Sequence, residues 1–465
     1  MTPRASNNPE GKVRELQRTL YTCAKRSKTR RFHALYDRVS RSDVLLEAWK
    51  RVRGNKGAAG VDGERIGDIE RQGVEDFLQD LQTDLQTGRY RPKPVRRRYI
   101  PKGDGKQRPL GIPTVRDRVA QMAVKLVVEP IFEADFEPVS YGFRPKRSAT
   151  MALEAIRVTV NRGHNHVVDA DIKGFFDNID QKRLMELVAK RVSDRRVQKL
   201  LRKWLKAGVM EAGGWRESLA GTPQGGVISP LLANIYLHEL DRRWRVEGQE
   251  LGELVRYADD FVVLCKTGWK AQAARRLVEQ QLGLLGLELH PDKTKVVDLW
   301  KGRGRFEFLG CTLRKKRSIL RNPRRAYLRR WPSPKAMKRV RSRIHELTDR
   351  RRAGAKLPAI IAQLNPVLRG WGNYFRTGNA DRKFNQVDHY VRYRLCSWLR
   401  RRGGQRTRFC LDKWPFERFI GMGLHRLLGT VCYPAQAAPL RPSVSRVREN
   451  RTHGLTGEPV GPTSQ

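Results

Sequence analysis

Two adjacent carboxylates interrupt an otherwise apolar run, Val255-Arg256-Tyr257-Ala258-Asp259-Asp260-Phe261-Val262-Val263-Leu264, and this string constrains the fold more than any other. With β-formers on both sides, the acids fit a hairpin whose tight turn holds two like charges together. Such crowding costs free energy, which a divalent cation bound by both carboxylates offsets. Asp-Asp is also a common surface turn, so the pair points to chemistry only if a second acidic element accompanies it.

That element is His166-Val167-Val168-Asp169-Ala170-Asp171-Ile172-Lys173-Gly174-Phe175-Phe176-Asp177, which starts as an apolar strand and delivers Asp171 at its end. Three carboxylates from two strand ends can hold two Mg²⁺ ions about 3.5–4 Å apart, the spacing that in-line phosphoryl transfer requires. One ion would lower the pKa of an attacking 3′-hydroxyl and the other would stabilise the leaving pyrophosphate. Oxygen ligands suit Mn²⁺ as a substitute. Asp169 and Asp177 compete with Asp171 for the role, because period-2 alternation puts Asp169 on the same face and spacing does not choose between them. Between the acidic strings lies Gly221-Thr222-Pro223-Gln224-Gly225-Gly226-Val227-Ile228-Ser229-Pro230. Its glycines let a nucleotide or nucleic acid approach the backbone, and Ser229 is expected as N-cap with Pro230 at the first helical position.

Charge names the class of partner. Lys and Arg number 95 against 48 Asp and Glu, a formal excess of +47 over 465 residues. Neutralising phosphates with counterion release is the natural counterweight to such a charge. No run approaches the about 18 to 20 apolar residues that span a bilayer, and the opening segment lacks the apolar core of a signal peptide, so a cytoplasmic protein without a membrane partner is expected. Cys23, Cys265, Cys311, Cys396, Cys410 and Cys432 are scattered singly, which argues for reduced core thiols rather than disulfides or a zinc module.

Residues 1 to about 55 look helical and basic, and the turn-rich Gly54-Asn55-Lys56-Gly57 is a plausible boundary. From about 61 to 325, short β-rich segments mix with helices, as in an α+β body; Arg116 to Phe132 carries Val119, Met122, Ala123, Leu126 and Val127 at helical spacing. Residues 301–352 hold 20 Lys or Arg against three acids. Within them Ser333-Pro334 starts a helix whose Met337, Val340, Ile344 and Leu347 form an apolar stripe beneath a basic face. Beyond about 436 the composition turns to Pro, Ser, Gly, Arg and Thr, and a frayed tail is expected.

Taken in order, these strings resemble the palm motifs of reverse transcriptases, and in detail those of the bacterial group II intron reverse transcriptase/maturases. The likeness runs from Gly60-Val61-Asp62-Gly63 through Ile100-Pro101-Lys102, Arg108-Pro109-Leu110-Gly111-Ile112-Pro113-Thr114 and Tyr141-Gly142-Phe143-Arg144-Pro145 to the acidic strand. It continues through the Thr-Pro-Gln-Gly-Gly turn, the Tyr-Ala-Asp-Asp hairpin, His290-Pro291-Asp292-Lys293-Thr294-Lys295 and Phe308-Leu309-Gly310. The resemblance implies a right-hand polymerase fold: a basic N-terminal extension (1–55), fingers and palm (56–325), an α-helical basic thumb or maturase domain (326–402), a C-terminal maturase or DNA-binding part (403–435) and the tail (436–465).

It also implies roles. Asp171, rather than Asp169, joins Asp259 and Asp260 as the catalytic metal ligands, together with the Ile172 backbone carbonyl. Phe176 matches the aromatic gate that selects deoxynucleotides, Gln224 borders the incoming nucleotide, and Lys102 and Arg108 hold its triphosphate, with Lys293 nearby. Tyr257, Gly225, Gly226, Leu309 and Gly310 correspond to positions along primer and template. Leu364 to Phe375 and Tyr390 to Arg400, in which aromatics alternate with arginines, are similar to the intron-binding thumb, although most of Trp371, Tyr374 and Trp398 is expected to be core. The implied partners are group II intron RNA, an RNA template with its DNA primer, target DNA and deoxynucleoside triphosphates.

Many relatives end in a zinc-associated HNH nuclease with paired cysteines; Cys410 and Cys432 stand alone, so a form lacking that domain and primed from another source is expected. Two other functions fit parts of the pattern: an RNA-binding splicing factor with little polymerase activity, and a domesticated, defence-associated reverse transcriptase. The intact Asp259-Asp260 pair argues against the first, and the thumb resemblance argues against the second.

Overall fold

The computed structural model describes residues 8–101, 107–211, 214–216, 225–302, 304–317, 326–352, 354–403 and 413–432. Lys102, Gln224, Cys410 and the expected tail lie outside these residues, and of Arg108 only the backbone is described.

Eleven strands form three sheets among the described residues: β1 (Val95–Pro101), β2 (Gln107–Ile112), β3 (His166–Asp171), β4 (Val209–Glu211), β5 (Gly214–Arg216), β6 (Glu253–Tyr257), β7 (Asp260–Cys265), β8 (Lys295–Asp298), β9 (Phe306–Phe308), β10 (Cys311–Arg317) and β11 (Ala326–Pro332). The finger sheet runs β2-β1-β4-β5, the palm sheet β6-β7-β3-β8, and a small sheet β11-β10-β9 leads into the thumb. The mixture is α+β, as expected.

Strand parity organises the palm. On β3 and β7, Val168, Ala170, Phe261, Val263 and Cys265 point into one core, shared with the helices Val115–Glu133, Ser229–Arg243 and Gly268–Gly283. Val167, Val262 and Leu264 point into a second core, shared with the helix Ala149–Asn161 and the thumb. Both faces are covered, which is why β7 reads as an unbroken apolar run rather than an alternating one. Asp169 and Asp171 share parity with Val167, Asp260 with Val262, and Tyr257 with Val255. The acids therefore lie on the thumb side of the sheet, at its open end.

The helix expected near Arg116–Phe132 spans Val115–Glu133 and is buried almost all round, with Thr114 as N-cap. The N-terminal helices Pro9–Arg26 and Ser42–Gly54 pack directly on it. Gln17 Nε2 donates to the Leu126 carbonyl at 2.9 Å, and Lys25 Nζ donates to that of Ala134 at 3.1 Å. One expectation needs correcting: the helix after the glycine turn begins at Ser229 with Ile228 in the cap position, so Ser229 is its first residue rather than its N-cap. Gln121 explains how this start is held, since its Oε1 accepts from the Val227 amide at 2.9 Å.

The thumb comprises the helices Pro334–Leu347, Leu357–Phe375 and Asp381–Gly403, followed by Phe416–Gly421. Ser333 caps the first through the Ala336 amide at 3.2 Å, and Met337, Val340, Ile344 and Leu347 are buried, as the stripe predicts. Trp398 is core and Trp371 is partly buried against it, but Tyr374 is exposed, because its hydroxyl reaches across to the Leu309 carbonyl. Among the described residues no helix is long and apolar enough to cross a membrane.

Candidate active site

The palm register sets Asp171 opposite Asp260 as cross-strand partners at the ends of β3 and β7. Tyr257 pairs with Asp260 across the β6–β7 hairpin, which leaves Ala258 and Asp259 as a two-residue turn. Ala258 takes a positive φ of 58°, a region that L-residues enter only at a cost. The turn is held by a buried ion pair: Arg256 Nε and Nη2 donate to the Asp241 carboxylate at 2.7 and 2.5 Å, and both side chains are fully buried. Arg256 Nη1 also donates to the Ala258 carbonyl at 3.0 Å and to Asn234 Oδ1 at 3.1 Å. One guanidinium thus ties the strained turn to the helix Ser229–Arg243.

Sequence reasoning missed Arg256, Asp241 and Asn234. The available signal was an arginine at the centre of an apolar strand, which must find a buried partner.

On the other side of the pair, Lys293 Nζ rests 2.6 Å from Asp171 Oδ2, and the His290 amide donates to the Asp171 carbonyl at 2.7 Å. Ile172 is buried and bridges to Leu289, so the string from His290 to Lys295 forms one wall of the site. Phe176 is half-buried, its ring edge-on to Phe175 at 5.2 Å. Gly225, at φ 113°, lies against the finger sheet; a Cβ there would fall 2.5 Å from the Gly111 carbonyl oxygen, so only glycine permits the approach. Leu309 and Gly310 form the β9–β10 turn, both with positive φ. That turn is fixed by Tyr374 Oη donating to the Leu309 carbonyl at 2.9 Å and by the Ser333 amide donating to that of Gly310 at 2.9 Å. Asp177 sits in a short 3₁₀ turn beyond the strand.

Carboxylates crowd at this end of the sheet. Burial, then the neighbouring Asp260 and Asp171, push the Asp169 carboxyl up to about 7, with Lys295 opposing. Among the described residues no three such side chains stand close enough together to enclose an ion. The donors nevertheless suit one: they are carboxylate oxygens, two of them on directly paired residues, and an ammonium already rests on Asp171.

Comparison with known proteins decides the family. Residues 100–313 match the family model described as reverse transcriptase (RNA-dependent DNA polymerase), and residues 337–414 match that of the group II intron maturase-specific domain. The Escherichia coli protein YkfC is 39% identical over 350 residues, covering 66% of this chain and 89% of that protein. The chain belongs to the group II intron reverse transcriptase/maturase family. The group II intron-encoded protein LtrA of Lactococcus lactis is 42% identical over 214 residues, 45% of this chain but 35% of LtrA, so the match spans about a third of that relative. The mitochondrial nuclear intron maturase 4 of Arabidopsis thaliana is 27% identical over 215 residues, 44% of this chain and 25% of that one.

As a member of this family the chain is an RNA-directed DNA polymerase joined to a maturase domain, with a divalent-metal requirement and with intron RNA and other nucleic acids as its partners. The mixed α/β body followed by a helical segment corresponds to that architecture.

Proposed function

We propose that this reverse transcriptase/maturase polymerises DNA on an RNA template at Asp171, Asp259 and Asp260, and binds its own group II intron RNA through fingers and thumb to promote splicing and mobility. The observation that carries the first half is the cross-strand pairing of Asp171 with Asp260, with Asp259 in a turn braced by the Arg256–Asp241 ion pair. Preorganised charge of this kind is what nucleotidyl transfer asks of a protein. Two Mg²⁺ ions, with Mn²⁺ as substitute, supply when bound the Lewis acidity that activates a primer 3′-hydroxyl and stabilises the leaving pyrophosphate. The three carboxylates and the Ile172 carbonyl would hold them.

The rest of the site orients substrate. Phe176 lies five residues beyond Asp171 and bars a ribose 2′-hydroxyl. Lys293, already at Asp171, guides the triphosphate beside Lys102, Arg108 and Gln224. Tyr257, Gly225, Gly226, Leu309 and Gly310 contact primer and template, and target DNA is a further nucleic-acid partner.

Support for the maturase role comes from the thumb. A groove of about 660 Å³ between the helices Pro334–Leu347 and Asp381–Gly403 is lined by Lys338, Arg341, Lys383 and Tyr390. The Arg341 guanidinium stands 5.7 Å over the Tyr390 ring, so cation and aromatic surface face a strand together. Asp259→Ala tests whether the two activities are separate. It should abolish cDNA synthesis and leave protein-assisted splicing of the cognate intron intact; loss of both in a folded variant overturns the separation.

A further inference from the structure

Phe143 is an apolar ring held out in solvent by a rigid, strained backbone. It is 52% exposed, and its φ of +55° lies in the left-handed region, where a residue with a bulky side chain is strained. The segment carrying it is clamped from both sides. The Tyr141 amide donates to the Arg256 carbonyl at 2.8 Å, adding the chain to the outer edge of β6. A Cβ on Gly142 would fall 2.3 Å from the Ala258 nitrogen, so the loop lies directly on the hairpin turn that carries Asp259. Asn234 Nδ2 donates to the Gly142 carbonyl at 2.8 Å, and the same side chain accepts from Arg256. On the far side the buried Arg144 donates to the Glu133 carboxylate at 2.8 and 3.0 Å and to the carbonyls of Glu137 and Ser140 at 2.6 and 2.8 Å. The outcome of this bracing is a phenylalanine ring 6.2 Å from that of Tyr257, tilted by 45°.

A ring needed for packing would be buried, and a loop needed only for its shape would be relieved by Gly or Asn at this φ. Strain that the surroundings enforce, on a side chain turned to solvent beside reactive groups, points to a ligand. We propose that Phe143 is a substrate-binding residue: its exposed face stacks on the primer strand close to the 3′ terminus, and Tyr257 supplies the second ring of the platform. The proposal deepens the reading of Asp171, Asp259 and Asp260 as the polymerase site, on which it rests. Base–aromatic stacking is tolerant of sequence, as a polymerase that copies any template requires.

The test is steady-state primer extension by the full chain on an RNA template with a DNA primer, comparing wild type with Phe143→Ala, Phe143→Tyr and Phe143→Gly, alongside thermal unfolding. Phe143→Ala should raise the KM for primer–template on the order of 10-fold, with the KM for nucleotide unchanged. Phe143→Tyr should keep near wild-type values. Phe143→Gly should share the primer defect while unfolding no earlier than wild type, and a 2-aminopurine at the primer terminus should lose its quenching in both deficient variants. An unchanged primer–template KM in Phe143→Ala overturns the proposal, as does an activity loss that tracks a fall in unfolding temperature. Weaker binding of intron RNA with normal primer use would overturn it in favour of an RNA contact. Absence of extension by wild type would instead overturn the underlying polymerase reading, and this inference with it.

Discussion

Asp241→Asn isolates the ion pair that braces the Ala258-Asp259 turn. Arg256 and Asp241 are both fully buried, and the wild-type guanidinium donates twice to the carboxylate, at 2.7 and 2.5 Å. The amide keeps the shape but removes the counter-charge, leaving a cation in the core. Breaking a buried pair from one side costs about 3–5 kcal/mol. The lower end applies here, because Arg256 keeps its bonds to Asn234 Oδ1 and the Ala258 carbonyl and the new amide oxygen still accepts one. Urea unfolding of Asp241→Asn should therefore show about 3 kcal/mol less stability at an unchanged denaturant slope. A Arg256→Met, Asp241→Leu double variant should recover most of that stability, since apolar replacement of a buried pair is close to neutral. It should still extend primers poorly, because the strained Ala258 carbonyl has lost its donor. A stability for Asp241→Asn within about 1 kcal/mol of wild type refutes the reasoning, and so does a double variant that polymerises normally.

Three further outcomes follow from the geometry. Burial pushes the His238 imidazole down to about 4, so it is neutral when folded. Folded stability is then fully present above the free-histidine value of about 6.5 and is lost as pH falls toward 4, up to about 3 kcal/mol; His238→Phe should flatten that acid limb in urea titrations taken across the range. Gly142→Ala should cut primer extension at least about tenfold while intron RNA affinity holds, because its Cβ must displace the Ala258 turn rather than a flexible side chain. Phe176→Ala should lower discrimination against ribonucleotides, measured as the ratio of kcat/KM values, with the metal requirement unchanged; intact sugar selectivity removes Phe176 from the gate.

The acidic strings were legible because acids that interrupt or close an apolar run mark the ends of strands. Spacing left Asp169 level with Asp171, and only the family resemblance chose Asp171. The cap at Ser333 and the stripe beneath it were legible for a similar reason, being local. Ser229 was misplaced by one position because its helix begins one residue earlier than expected, where a distant side chain, Gln121, holds the Val227 amide. Long-range partners were not legible at all. Nothing local in the sequence tells Arg256 that Asp241 lies beneath it, or that Gly142 must be a glycine to admit Ala258. Tyr374 was expected in the core from its helical neighbours, yet its hydroxyl is drawn outward to the Leu309 turn, a contact made only once the thumb docks on the palm. Parity and a local cap such as that at Ser333 are written in the chain, whereas the bracing of a site is written in its tertiary packing.

The most direct test of the central claim is primer extension on poly(rA)/oligo(dT) with Mg²⁺ and dTTP, comparing wild type with an Asp259→Ala, Asp260→Ala double variant. Extension by wild type and none by the variant, with both folded, is the predicted result. If neither protein extends the primer while both still bind intron RNA tightly, the carboxylate site is not a working polymerase and the chain acts as an RNA-binding splicing factor.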